Sequence, residues 1–127
     1  MSYVADAKAH LDKAREFLES ARDEHDFERY NAAVSAPVVS GIDTKDAICL
    51  KTTRKTNKTE NHSEAIRELK SSGPAGASLQ STFRRLLALK PKSQYQTMSV
   101  SAASAREAVN WAQRMYDVAT EVVTRPS

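Results

Sequence analysis

Residues that interrupt helices are scarce in this chain, which has three glycines and four prolines in 127 positions. Alanine, leucine, glutamate, lysine and arginine are abundant instead, and that balance favours helices over strands. A chain of this length is expected to form one domain around a single core. The composition therefore predicts a single all-α domain over residues 1–127.

Cysteines, long apolar runs and cofactor motifs are also scarce or missing. A single cysteine, Cys49, excludes an internal disulfide, and its apolar surroundings favour a packing role over a nucleophilic one. No run approaches the roughly 20 apolar residues of a membrane span, and the first residues lack a signal-peptide pattern, so we expect a cytoplasmic protein that makes no membrane contact. No phosphate-binding glycine loop or clustered metal-ligand motif occurs, so no cofactor and no metal are predicted.

Apolar residues recur at three- and four-residue steps in several segments, which is the pattern of amphipathic helices. Asp26 is a candidate N-cap for the second of these helices, and Ser101 for the last. A polar turn rich in glycine and serine, Ser71–Ala77, and an extended connection, Lys90–Val100, are expected between helices. The predicted helices cover residues 4–24, Phe27–Leu50, His62–Leu69, Leu79–Leu87 and the segment after Ser101.

The second predicted helix, Phe27–Leu50, is apolar over a wide arc. Such an arc indicates burial on more than one side, and we expect this helix to form the interface of a two-fold homodimer. Pro37 lies within it and removes a backbone donor, so a kink is predicted at that position.

Positive charge is concentrated in the middle of the chain. Residues 1–30 carry five basic and eight acidic side chains, whereas residues 51–92 carry ten basic and three acidic ones. A solvated, salt-bridged surface is the ordinary explanation of such a run, but the polar segment Lys51–Glu60 has Glu60 alone as an acidic partner. A polyanion such as RNA is therefore a candidate ligand, and its predicted contacts are Lys51, Lys55, Lys58, Arg84 and Arg85.

The polar segment ends at a histidine that is expected to begin a helix. Asn61 and Glu64 have the spacing of a capping box, which places His62 at the first helical position. An imidazole moves protons near neutral pH, and a helix N-terminus favours a bound anion. Arg54 can offer a guanidinium to the same phosphate. Arg54 and His62 are thus the candidate catalytic residues, while His10 and His25 are expected on the surface of the first helix.

Three segments, Arg29–Cys49, Asn61–Leu69 and Phe83–Tyr95, resemble HEPN domains, especially the small single-domain actinobacterial and phage forms. The resemblance implies an antiparallel bundle of four to five helices that dimerises through its central helices. For active members it also implies a metal-independent endoribonuclease, in which Arg and His meet their symmetry mates in the dimer cleft.

The HEPN motif has four to six residues between Arg and His. In this sequence seven residues separate Arg54 from His62, and six separate Lys55 from His62.

Two functions stay open. The first is an endoribonuclease of a toxin or defence system, with an antitoxin or other protein partner, in which a ribose 2′-hydroxyl attacks the adjacent phosphate. The second is a non-catalytic helical dimer that binds nucleic acid or protein.

Overall fold

The computed structural model describes residues 2–58, 60–89 and 100–126, and within these ranges it contains helices and no strands. The all-α prediction is therefore confirmed for the described residues. Except for Val100, the predicted extended connection lies outside them. The helices are α1 (Tyr3–Asp26), α2 (Tyr30–Thr53), α3 (His62–Ser71), α4 (Pro74–Ser78), α5 (Gln80–Ala88) and α6 (Ala102–Thr124).

The long helix α2 lies at the centre and contacts all five other helices. Small residues on its two long neighbours permit this close packing, because the buried stripes of α1 and α6 consist largely of alanine. The wide apolar arc of α2 is consequently covered within the monomer, and among its described large apolar residues Val39 is the exposed one. The homodimer stays a prediction, and among the described residues α2 offers little uncovered apolar surface for its interface.

The predicted start of the second helix is wrong. Asp26 is the last residue of α1 and not the cap of α2. The N–H groups of Phe27 and Arg29 donate to the carbonyls of Asp23 and Glu24, which closes α1, and Glu28 adopts a left-handed φ of 60° where the chain reverses. α2 therefore begins only at Tyr30.

Two segments predicted as irregular are partly helical. α2 continues to Thr53, so the first three residues of the predicted polar loop belong to it. The predicted turn at Ser71–Ala77 contains the short helix α4, which begins with Pro74 at a position where a missing N–H has no cost. α2 is helical on both sides of Pro37 and includes that residue. Pro37 cannot donate to the carbonyl four residues before it, and the predicted kink stays a prediction.

Candidate functional site

A pocket with a volume of about 410 Å³ lies between α1, the second half of α2 and the start of α3. The volume is in the range of small-molecule sites, about 300–1,000 Å³. Leu87 of α5 also lines the pocket. The charged and titratable side chains around it include His10, Lys13, Asp43, Asp46, Lys58 and His62.

His10 is held by carboxylates of α2. Its Nδ1 lies 3.0 Å from Oδ1 of Asp43 and 3.9 Å from Oδ2 of Asp46. An ionised carboxylate can only accept, so Nδ1 carries the hydrogen and Nε2 is the nitrogen left to exchange protons with a ligand. The prediction that His10 is a surface residue is therefore wrong, since its side chain is 16% exposed.

The sequence did contain a signal for this position. His10 follows Ala7 by three residues and precedes Ala14 by four, and both alanines are buried. Residues at these spacings share one face of a helix. His10 thus lies on the same face of α1 as the buried alanines, although it is itself only partly buried.

The same three residues could hold a divalent cation, because ligand atoms from His10, Asp43 and Asp46 lie within 4.8 Å of one another. Asp46, however, already accepts hydrogen bonds from Lys45 at 3.2 Å and from Thr56 at 2.6 Å. An ammonium group this close opposes a second cation. The absence of a metal stays a prediction.

Lys45 is the most deeply buried charge of this region, with a side chain that is 2% exposed. Its Nζ lies 2.5 Å from Oε1 of Glu68 and 3.2 Å from Oδ1 of Asp46. It also donates to Oγ1 of Thr56 at 3.0 Å and to the carbonyl of Asn57 at 3.1 Å. Burial lowers the pKa of Lys45, but the two carboxylates outweigh burial and raise that pKa above its ordinary value.

Glu68 connects the same segment to α3. It accepts from the backbone N–H of Asn57 at 3.0 Å and from Nδ2 of Asn57 at 2.7 Å, and its Oε1 lies 3.1 Å from Oγ1 of Thr56. Burial raises the pKa of Glu68, but the hydrogen bonds from Lys45 and Asn57 outweigh it and lower that pKa. Polar contacts with α2 and α3 therefore hold residues 54–58 in place.

His62 lies where the sequence predicts it. Asn61 caps α3 by accepting from the N–H of Glu64 at 3.1 Å, and His62 is the first helical residue. Its side chain is half-buried and lines the pocket. The positive end of the α3 dipole is therefore close to the pocket and favours an anion.

Arg54, the other predicted catalytic residue, is not among the described residues that line the pocket. It caps the end of α2 with a left-handed φ of 66°, and its guanidinium carbon lies 5.0 Å above the ring of Tyr3. The structure therefore brings His62, but not Arg54, to the pocket. The catalytic roles of both residues stay predictions.

The three lysines that were predicted to contact RNA differ in their position relative to the pocket. Lys58 is exposed and lines the pocket, and Lys55 is exposed on the same segment. Lys51 donates to the carbonyl of Arg125 at 2.7 Å, so its ammonium points towards the end of α6.

Arg84 and Arg85 are both exposed on α5, but they have different relations to the pocket. Leu87 on the same helix lines it. Arg84 precedes Leu87 by one turn, whereas Arg85 lies about 160° around the helix from it. Arg84 is thus the better placed of the two.

Cys49 is fully buried, as its apolar surroundings predicted. Burial raises the pKa of its thiol to about 12. The thiol is therefore neutral near pH 7 and a poor nucleophile.

No protein-family model matches the chain, and a search of curated proteins gave no significant match. Within the described ranges, none of the helices is long and apolar enough to cross a membrane.

Proposed function

We propose that the protein binds RNA at this pocket and cleaves it without a metal ion. The observation that carries the proposal is that two histidines, His10 and His62, line one pocket together with two exposed lysines, Lys13 and Lys58. Cleavage of a phosphodiester next to a 2′-hydroxyl requires proton transfer and stabilisation of a phosphate that gains negative charge. Imidazole and ammonium groups supply these two requirements.

In the proposed reaction the ribose 2′-oxygen attacks phosphorus, and the bond to the 5′-oxygen breaks. The products are a 2′,3′-cyclic phosphate and a 5′-hydroxyl. His62 takes part in proton transfer, as the sequence predicts. Arg54 contacts the phosphate only after leaving the ring of Tyr3, so Lys13 and Lys58 provide the first positive charges that RNA meets.

The substrate class is single-stranded or looped RNA, because the attacking hydroxyl must rotate into line with the leaving oxygen. Lys55, exposed on the segment that carries Lys58, and Arg84, one turn from Leu87, are the further RNA contacts of this proposal, and Lys51 and Arg85 are less favoured. Backbone contacts of this kind weaken as salt is raised.

The test uses end-labelled RNA and DNA of one sequence, incubated with purified protein in EDTA. We expect the RNA to be cut to cyclic phosphate ends and the DNA to stay intact, because DNA lacks the attacking hydroxyl. His62→Ala should lower the cleavage rate by about 10²–10⁴-fold. Failure of the wild-type protein to cut any RNA, or equal cutting of DNA, overturns the proposal.

A non-catalytic module is the second candidate, and the placement of Arg54 on Tyr3, outside the pocket lining, favours it. Such a module binds RNA with salt-dependent affinity and leaves it uncut. The homodimer proposed for either function is tested by light scattering at tens of micromolar protein, where a monomer mass contradicts it.

A further inference from the structure

We propose that His10, oriented by Asp43, is the second proton-transfer residue of the pocket and protonates the leaving 5′-oxygen, while His62 accepts the proton of the 2′-hydroxyl. This inference rests on the proposed function. It assigns a catalytic role to a residue outside the Arg54–His62 motif.

The geometry of His10 is that of an oriented imidazole. Asp43 accepts from Nδ1 at 3.0 Å, and its own side chain is only 13% exposed. A carboxylate in this position fixes the ring and its tautomer, which leaves Nε2 for proton transfer. His10 and Asp43 also lie on different helices, α1 and α2, so helix packing sets their relative position.

The groups around the pocket indicate which of the two histidines donates a proton and which accepts one. Asp43 lies 3.0 Å from Nδ1 of His10 and accepts its hydrogen, so the ring can carry the donated proton on Nε2, as a proton donor needs. His62 begins α3, where the helix dipole opposes positive charge, as suits a proton acceptor. The other charged groups that face the pocket are Lys13 of α1, Lys45 and Asp46 of α2, and Lys58 and Glu60 of the segment before α3.

The step balances without a further reactant. The proton of the 2′-hydroxyl moves to His62 as the bond between the 2′-oxygen and phosphorus forms. The proton on Nε2 of His10 moves to the 5′-oxygen as its bond to phosphorus breaks. Proton exchange with water then restores both histidines.

The test compares two substrates of the wild-type protein and its variants. One is an RNA dinucleotide, and the other is a nucleoside 3′-(4-nitrophenyl phosphate), whose leaving group departs without being protonated. We expect His10→Ala to slow cleavage of the dinucleotide by about 10²–10⁴-fold and to leave the aryl ester rate within a few-fold of wild type. His62→Ala should slow both substrates.

Asp43 is a positioning residue in this proposal. Asp43→Asn should lower kcat for the dinucleotide with little change in KM, and should spare the aryl ester. A purely structural role of Asp43 predicts equal losses on both substrates instead.

The matched control is His25→Ala, which removes a half-buried histidine from the same helix, α1, at a position that does not line this pocket. We expect wild-type rates for it. His10→Gln provides a second variant if His10→Ala unfolds, since an amide can still donate to Asp43 but cannot protonate the leaving group.

The outcomes separate the two proposals. A wild-type protein that cleaves neither substrate overturns the proposed function and this inference with it. A wild-type protein that cleaves RNA while both His10 variants keep its rate, or lose rate equally on the two substrates, overturns the inference alone.

Discussion

The two halves of α2 are buried in different ways. The first half buries apolar side chains, including Ala33, Val34 and Val38, each at most 2% exposed. The second half buries Lys45 and Asp46 almost as deeply, at 2% and 5%. One continuous helix therefore buries apolar side chains along its length, and only its second half adds a buried charged network beside core residues such as Ala47 and Ile48.

The difference follows from what each half must hold in place. The first half meets helices with apolar faces, so burial of apolar surface suffices. The second half meets residues 54–58, a stretch without an apolar side chain. Such a segment cannot be fixed by burial. Hydrogen bonds that Lys45 donates to it and that Glu68 accepts from it fix it instead. The buried charges thus hold in place the segment that leads to His62.

The largest expected effect is the loss of the charged network. Lys45→Ala leaves the carboxylates of Asp46 and Glu68 without their shared ammonium partner, and removal of one member of a buried ion pair typically costs about 3–5 kcal/mol. Urea unfolding of the variant measures this. Lys8→Ala, at an exposed position of α1, is the control and should change stability by less than about 0.5 kcal/mol. Similar stability of the two variants contradicts this account of the second half of α2.

A smaller effect is expected where α2 packs only against apolar groups. A Cβ added at Gly41 lies 2.6 Å from Cδ2 of Leu86 and 3.5 Å from Sδ of Met115. Gly41→Ala should cost about 1–3 kcal/mol through overpacking, offset by about 1 kcal/mol of helix propensity. The loss in urea unfolding should be the same at pH 4 and pH 7, because no titrating group is involved. A gain in stability contradicts tight packing at this crossing.

The pH dependence of stability distinguishes the halves further. The pKa of Glu68 is lowered from its ordinary value of 4.5, so its stabilisation is present above pH 4.5 and is lost as the pH falls through the folded-state pKa. The pKa of Lys45 is raised from 10.5, so its contribution is present below pH 10.5 and is lost as the pH rises through the folded-state pKa. Glu68→Gln should therefore flatten the acid limb of a stability profile. An unchanged acid slope contradicts the role of this carboxylate.

Much of the fold could be predicted from helical periodicity, because apolar residues recur regularly in most helices and two of the helix N-caps have a typical capping residue. Asn61 and Ser101 each accept a backbone N–H at the start of the helix they were expected to cap. The predicted start of α2 was wrong because Asp26 has a capping residue type, whereas the N–H groups of Phe27 and Arg29 donate to carbonyls of α1 and so extend that helix through Asp26.

The candidate site could be predicted only in part. The cap identifies His62, but the pairing of His10 with Asp43 joins residues 33 positions apart on separate helices. Local spacing carries no such information. Lys45 and Asp46 did leave a signal, since they interrupt the apolar stretch of a central helix, and buried charges of this kind need partners. Their partner Glu68 could not be identified without the fold.

The smallest expected effect compares the two caps. Asn61→Ala and Ser101→Ala each remove a side-chain acceptor at a helix N-terminus, and each should cost about 1 kcal/mol of stability. Asn61 precedes His62, whereas Ser101 begins α6 and does not line the pocket. We therefore expect the two variants to have similar urea midpoints, and RNA cleavage to fall only in Asn61→Ala. Equal cleavage by both variants means that the start of α3 does not position His62 for the reaction, and a fall in both means that rate follows stability alone.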